Sequence, residues 1–137
     1  AELAAQRAAR LPNETGGVLL GHVDVARRVV YVVDAIASPP DSEEWPTLYI
    51  RGAAGLADDV ERAQAATAGQ VHYIGEWHSH PRGVPPLPSP DDVQVFAWIT
   101  TALDADDLPA VMMILGDGLA AMFVGSLDPA ARPPVLA

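Results

Sequence analysis

Gly75-Glu76-Trp77-His78-Ser79-His80-Pro81, following directly on Val71-His72-Tyr73-Ile74, is the stretch on which the reading of this chain turns. The upstream residues have the β-branched and aromatic character of a strand, and side chains alternate along a strand with a period of two. His78 and His80 therefore fall on one face, side by side. Two imidazoles on one edge are a common start for a zinc or other transition-metal site, which a third oxygen or nitrogen ligand completes. Downstream, Ser89-Pro90-Asp91-Asp92 offers such a ligand, with Asp92 as the candidate.

Composition narrows what such a site can be. At 137 residues and 50% hydrophobic content, the chain is expected to be one domain, residues 1–137, that buries its own core without staples. It has no cysteine, which excludes disulfides, thiolate metal sites and a cysteine nucleophile, so any metal is held by His, Asp or Glu. The longest apolar runs, Val18 to Leu20 and Pro109 to Leu115, fall far short of the roughly 20 residues that span a bilayer, and no membrane partner is expected. The first ten residues read as an Ala-rich helix with neither a basic nor an apolar leader region, so a cytoplasmic protein is expected. A formal charge of −10 argues against nucleic acid or anionic lipid and favours a partner that is neutral or basic where it docks. The chain starts at Ala1 rather than Met, which suggests a piece of something longer.

From the N-terminus, the opening helix should end near Leu11-Pro12-Asn13, where proline and asparagine break it. Glu14 to Val23 reads as a strand entered through Gly16-Gly17, a pair that permits close backbone approach. Asp24 to Arg27 is a turn, and Arg28 to Ile36 the return strand of an antiparallel hairpin. Ser38 to Pro46 is acidic, proline-rich and loop-like, with Trp45 expected to tuck that loop against the body. Thr47 to Arg51 is a short strand, and Ala53 to Ala68 a helix with Leu56, Val60 and Ala63 on one face. The histidine strand runs from Val71 to His80. After the proline-rich Arg82 to Pro88, a helix opens with Ser89 as N-cap and Pro90 at its first position, running to about Leu103. Ala110 to Leu115 and Leu119 to Val124 form a second hairpin, and the tail after Ser126 is proline-rich and uninformative.

Helical spacing bears on which carboxylate meets the histidines. Asp92, Phe96, Ile99 and Leu103 share one stripe, so Asp92 points the way the buried face points, whereas Asp91 lies with Gln94 on a more polar side. Asp92 is favoured, and Asp91 stays open because spacing does not fix first-turn geometry. Taken singly, Ser89 and Asp92 are no more than a capping pair, and a strand histidine is more often hydrogen-bonded than metal-bound. His22 and His72 are read in that ordinary way. The pair His78 and His80 stands out because an acidic residue follows shortly and Glu14 precedes a Gly-rich strand.

In combination, Glu14 before Gly-Gly-Val-Leu-Leu-Gly, then His78-Ser79-His80-Pro81, then Ser89-Pro90-Asp91-Asp92 resembles the JAMM motif of the JAB/MPN-domain metalloproteases, Glu…His-Ser/Thr-His-Pro…Ser-x-x-Asp. The resemblance covers most of the chain. It implies an α+β, cytidine-deaminase-like fold of the α/β kind, a mixed, curved β-sheet flanked by helices. It also implies zinc held by His78, His80 and Asp92 with water in the fourth position, Glu14 as the base for that water, and Ser89 beside the tetrahedral oxyanion. Such enzymes cut after the C-terminal tail of ubiquitin or a ubiquitin-like protein. Asp41 to Glu44 with Trp45, and Arg82 to Pro88, fall where relatives carry insertions that border the substrate groove.

The short, Ala- and Pro-rich chain and its Glu76-Trp77 are similar to prokaryotic members encoded beside ubiquitin-activating and ubiquitin-conjugating-like enzymes, in defence-type conjugation or sulfur-carrier systems. The expected function is a zinc-dependent isopeptidase or peptidase, deubiquitinase-like in its chemistry. The alternative is a non-catalytic MPN-type scaffold, a class that usually lacks a ligand or the glutamate, all of which this chain has. A third reading, kinship with DNA-repair-associated relatives that share the ligand pattern, fits poorly with so acidic a chain.

Overall fold

Hydrogen bonding between the Val-rich segments builds the sheet outward from β1. The structure, a computed structural model, describes residues 2–127 and 135–136, the last two by their backbone alone. β1 (Gly16–Asp24) pairs antiparallel with β2 (Val29–Ile36), from Val18 opposite Ile36 to Asp24 opposite Val29. On its other side β1 pairs antiparallel with β5 (His72–Ser79), which sets Gly16 opposite His78. Both pairings slip register near Leu20, and such irregularities add twist to the curled sheet. β5 then pairs parallel with β6 (Ala110–Leu115), and β6 antiparallel with β7 (Ala120–Gly125). A parallel neighbour requires a long crossover, which is made by α3 (Pro90–Asp104).

Helices cover both faces, as the α+β expectation requires. Alternate residues of each strand serve opposite sides, except that the register slip in β5 leaves Ile74 on the same side as Trp77. Leu19, Ile74, Trp77, Val111 and Met113 face one way with Leu3 of α1 (Glu2–Arg10). Met112 and Ile114 face the other way, against Ile99 and Leu103 of α3. Val18 and Leu20 share that second side with Leu56, Val60 and Ala63 of α2 (Leu56–Ala66), the stripe read from the sequence. β6 is buried along its whole length, which explains its unbroken apolar run.

The structure departs from expectation at two places. Ser38 to Pro46 is not wholly loop: β3 (Glu43–Trp45) pairs antiparallel with β4 (Leu48–Ile50) in a separate two-stranded ribbon. Pro46 and Thr47 form its tight turn, and the Glu14 N–H donating to the Trp45 carbonyl at 2.9 Å ties the ribbon to the sheet. Trp45 itself is 55% exposed, so it does not tuck the loop against the body. The second departure is in the C-terminal tail, where β8 (Val135–Leu136) adds parallel to β2, giving the order β7-β6-β5-β1-β2-β8. Residues 128–134 and 137 of that tail lie outside the described residues. Among the described residues no helix is long and apolar enough to cross a membrane.

Two positions test this account. At Gly75 (φ 155°) an added Cβ would sit 1.8 Å from the Val111 carbonyl oxygen, so β5 and β6 could not keep their spacing. Gly75→Ala is expected to cost about 3 kcal/mol or more in denaturant unfolding. Asp41 accepts the Ala53 and Ala54 N–H groups ahead of α2, and these bonds hold its carboxyl below its ordinary value. A depressed pKa stabilises the fold above the unfolded value and loses that effect as pH falls through the folded one. Asp41→Ala should therefore lower stability at pH 7, with the deficit shrinking below about pH 4.

Candidate functional site

Strand pairing at the end of β5 brings together residues that are far apart in sequence. Because Gly16 lies opposite His78, the preceding Glu14 and Thr15 run alongside Ser79 and His80. Ser79, fully buried, clasps the two segments: its N–H donates to the Thr15 carbonyl at 2.7 Å, and the Thr15 N–H donates to its Oγ at 3.0 Å. Thr15 Oγ1 in turn donates to Glu44, which also pairs with Arg10 at 3.1 Å. Glu14 is thereby buried beside the histidines. The ligand atoms of Glu14, His78 and His80 all lie within 4.8 Å of one another.

Asp92 reaches the same point from α3. Its Oδ1 is 3.1 Å from His78 Nε2, and its Oδ2 is 3.1 Å from His80 Nε2. It is also the third residue of a capping box: Ser89 Oγ accepts from the Asp92 N–H, and Asp92 Oδ2 accepts from the Ser89 N–H. Capping and contact with the histidines are thus done by one side chain. Asp91 is exposed on the cavity rim, and Asp92 is the carboxylate that meets both rings. His22 and His72 make ordinary bonds, their Nδ1 atoms lying 2.9 Å from the Gln70 carbonyl and 3.0 Å from the Tyr73 carbonyl.

Geometry fixes the tautomer of the His80 ring. The Pro85 carbonyl can only accept, so His80 Nδ1, 2.7 Å away, carries a proton and Nε2 is the nitrogen turned toward Asp92. His78 Nε2 is buried without a satisfactory hydrogen bond, because Asp92 is close but poorly aligned. A buried polar atom left without a partner costs about 1–3 kcal/mol, and a cation would take its lone pair. Two imidazoles and a carboxylate are a donor set suited to zinc with an open position. Burial raises the Glu14 carboxyl above its ordinary value, and Asp92 adds to that shift while the two histidines oppose it. Burial works to raise Asp92 too, yet the nearby His78 ring, the bond from His80 and the bond from the Ser89 N–H together outweigh it and hold this carboxyl well below the usual range. The bond to Asp92 raises His80, with Pro85 and Glu14 adding to it.

Beside these residues opens a cavity of about 390 Å³. Thr47 to Arg51 form one wall, and Asp91, Gln94, Val95 and Trp98 of α3 form the other. The groove borders expected at Asp41 to Trp45 and Arg82 to Pro88 do not line it. On its floor is a charged group that sequence reasoning missed. Glu76 accepts from Arg51 Nε at 2.7 Å and from the Tyr73 hydroxyl at 2.9 Å. Burial, helped by Glu76, pushes the Tyr73 hydroxyl well up, so it stays a donor. The available signal was Glu76 itself, on the same strand face as His78 and His80.

Comparison with known proteins fits this geometry. A family model described as prokaryotic homologs of the JAB domain matches residues 1–125. The chain belongs to the prokaryotic JAB family. Two curated relatives carry the name CD-NTase/cGAS isopeptidase. The protein from Enterobacter hormaechei subsp. hoffmannii (strain UCI 50) is 35% identical over 125 residues, 90% of this chain and 67% of its own length. That from Escherichia coli (strain TW11681) is 26% identical over 111 residues, 76% of this chain and 62% of its own length. This JAB chain thus spans about two thirds of each. The solution structure of protein DSY2949 from Desulfitobacterium hafniense superposes with a TM-score of 0.58 at 19% identity, covering 99% of this chain and 86% of that one. That likeness is one of fold.

Removing the Ser79 hydroxyl tests how the JAB site is assembled. Ser79→Ala orphans the buried Thr15 N–H and should lower stability by about 1–3 kcal/mol in denaturant titration.

Proposed function

We propose that the chain is a zinc-dependent isopeptidase that cuts after the C-terminal tail of a ubiquitin-like protein. The observation that carries this reading is the convergence of Glu14, His80 and Asp92 on His78, whose buried Nε2 lacks a hydrogen-bond partner. His78, His80 and Asp92 would hold the cation. When bound, zinc polarises the scissile carbonyl and lowers the pKa of a water to about 7. Glu14 accepts a proton from the attacking water and returns it to the leaving amine. Burial favours the protonated form of its carboxyl, the direction that helps it hold the proton it takes until the amine leaves. Ser89 Oγ accepts from the Asp92 N–H, which leaves its own proton to donate to the developing oxyanion.

The cavity between β4 and α3 supports an extended, narrow substrate segment leading to Glu14, such as a tail ending in small residues. The names of the two curated relatives support an isopeptide bond rather than a linear one, and a CD-NTase-type protein as the conjugated target. A partnership with ubiquitin-activating and ubiquitin-conjugating-like enzymes, and a cytoplasmic setting, complete the reading.

Protein purified without chelators is expected to carry about one zinc per chain by elemental analysis. Glu14→Gln should keep the metal and slow cleavage of a ubiquitin-like fusion about 10²- to 10⁴-fold, and His78→Ala should lose both. A Glu14→Gln protein that cleaves at the wild-type rate would remove the assigned base. Absence of zinc, with none taken up on addition, would leave the non-catalytic scaffold as the better account.

A further inference from the structure

Arg7 is out of place for a helix packed on a sheet. It follows Leu3 by one helical turn on the face that α1 turns inward, and its side chain is only 11% exposed. An apolar residue there would avoid the desolvation of a guanidinium. Its donors go elsewhere than to α1 and its packing partners. Nε donates to the His80 carbonyl at 3.0 Å, and the second terminal nitrogen donates to Asp117 Oδ1 at 2.8 Å. Asp117 sits at the tip of the β6–β7 hairpin, and its other oxygen, Oδ2, accepts the Gly83 N–H at 2.8 Å.

This chain of bonds ends at the His80 ring. The His80 peptide is gripped on both sides, its N–H by the Leu115 carbonyl at 2.8 Å and its carbonyl by Arg7. Gly83, held by Asp117, takes a positive φ of 76° at the bend of the loop after His80. Two residues on, the Pro85 carbonyl accepts from His80 Nδ1. Prolines at 81, 85, 86 and 88 stiffen this loop, so fixing it at Gly83 fixes where the Pro85 carbonyl lies. A carbonyl bonded to the remote nitrogen of a metal-binding imidazole sets both its tautomer and its orientation.

We propose that Arg7 and Asp117 are positioning residues that bracket the loop from His80 to Pro85 and so aim His80 Nε2 at Glu14, His78 and Asp92. The helix α1 is thereby part of the site's support although none of its residues lines the cavity beside the site. The metal arm of the test rests on the zinc reading above, while the geometric claim does not.

The test compares wild type with Arg7→Met, Asp117→Ala, the double variant and Leu3→Ala, which weakens the packing of α1 without touching the bracket. Asp117 is half exposed, so its replacement cannot fail by opening the core. In metal-free protein, NMR should show a slowly exchanging His80 Nδ1–H in wild type and Leu3→Ala, lost or broadened in both bracket variants. In zinc-loaded protein, transfer of the metal to a chromophoric chelator should be about 10- to 100-fold faster in either bracket variant. The double variant should be no faster than the faster single, since both act through one network. The proposal is overturned if the bracket variants merely lose thermal stability, as Leu3→Ala does, with the His80 resonance and zinc release unchanged. A wild type that takes up no zinc would sink the metal reading, and the His80 resonance would still judge the bracket.

Discussion

Pairing of β1 against β5, with Gly16 opposite His78, is the constraint on which the rest of the site depends. It turns a separation of more than sixty residues between Glu14 and the histidines into a neighbour relation. The two glycines let β1 lie close to both its neighbours, Gly16 to β5 and Gly17 to β2. A Cβ at Gly17 would meet the Ile36 carbonyl oxygen at 1.9 Å, and one at Gly16 would meet the Trp77 carbonyl oxygen at 2.5 Å. Ser79 then adds a side-chain clasp to the ladder. With backbone and side chain bonded to Thr15, it leaves Glu14 little freedom to swing away from the histidines.

Around that junction the protein buries more charge than a simple core would tolerate. Glu14, Glu76 and Arg7 are all largely withdrawn from water, and each is surrounded by groups that make burial bearable. Glu76 has Arg51 and Tyr73, Arg7 has Asp117 and the His80 carbonyl, and Glu14 has the two histidines. Paired buried charges add little net stability against apolar replacements, but each is costly to break. The consequence is rigidity where chemistry needs it.

The site lies where two kinds of end meet, the end of a sheet strand and the start of a helix. The N-terminus of α3 brings the Ser89 N–H and a positive dipole end to the Asp92 carboxylate, an environment that favours its charged form. The histidines reinforce the same outcome. Glu14 has no helix end beside it, and burial outweighs the two histidines there, so it shifts the opposite way and the two carboxylates of one site are driven apart in proton affinity. That division suits one for holding a cation and the other for moving a proton.

Much of this was legible locally. The Val-rich hairpin, the stripe of Leu56, Val60 and Ala63, the Ser89 and Pro90 start of α3 and the period-two pair of His78 and His80 rest on neighbours within a few residues, which is what sequence periodicity records. Family resemblance joined Glu14 to that set. The ribbon of β3 and β4 was not legible, because three-residue strands carry almost no periodic signal and depend on bonds made elsewhere. Nor was the groove wall, which belongs to Thr47 to Arg51 rather than to the acidic loop before it. Arg7, Arg51 and Asp117 carry no local signal of their roles, since their partners lie 25 to 110 residues away. Sequence alone determined which chemistry-bearing residues this protein has and on which faces of their own elements they stand. Only the tertiary structure decided which charges are buried against which, because burial and pairing depend on the register between strands and not on the residues beside them.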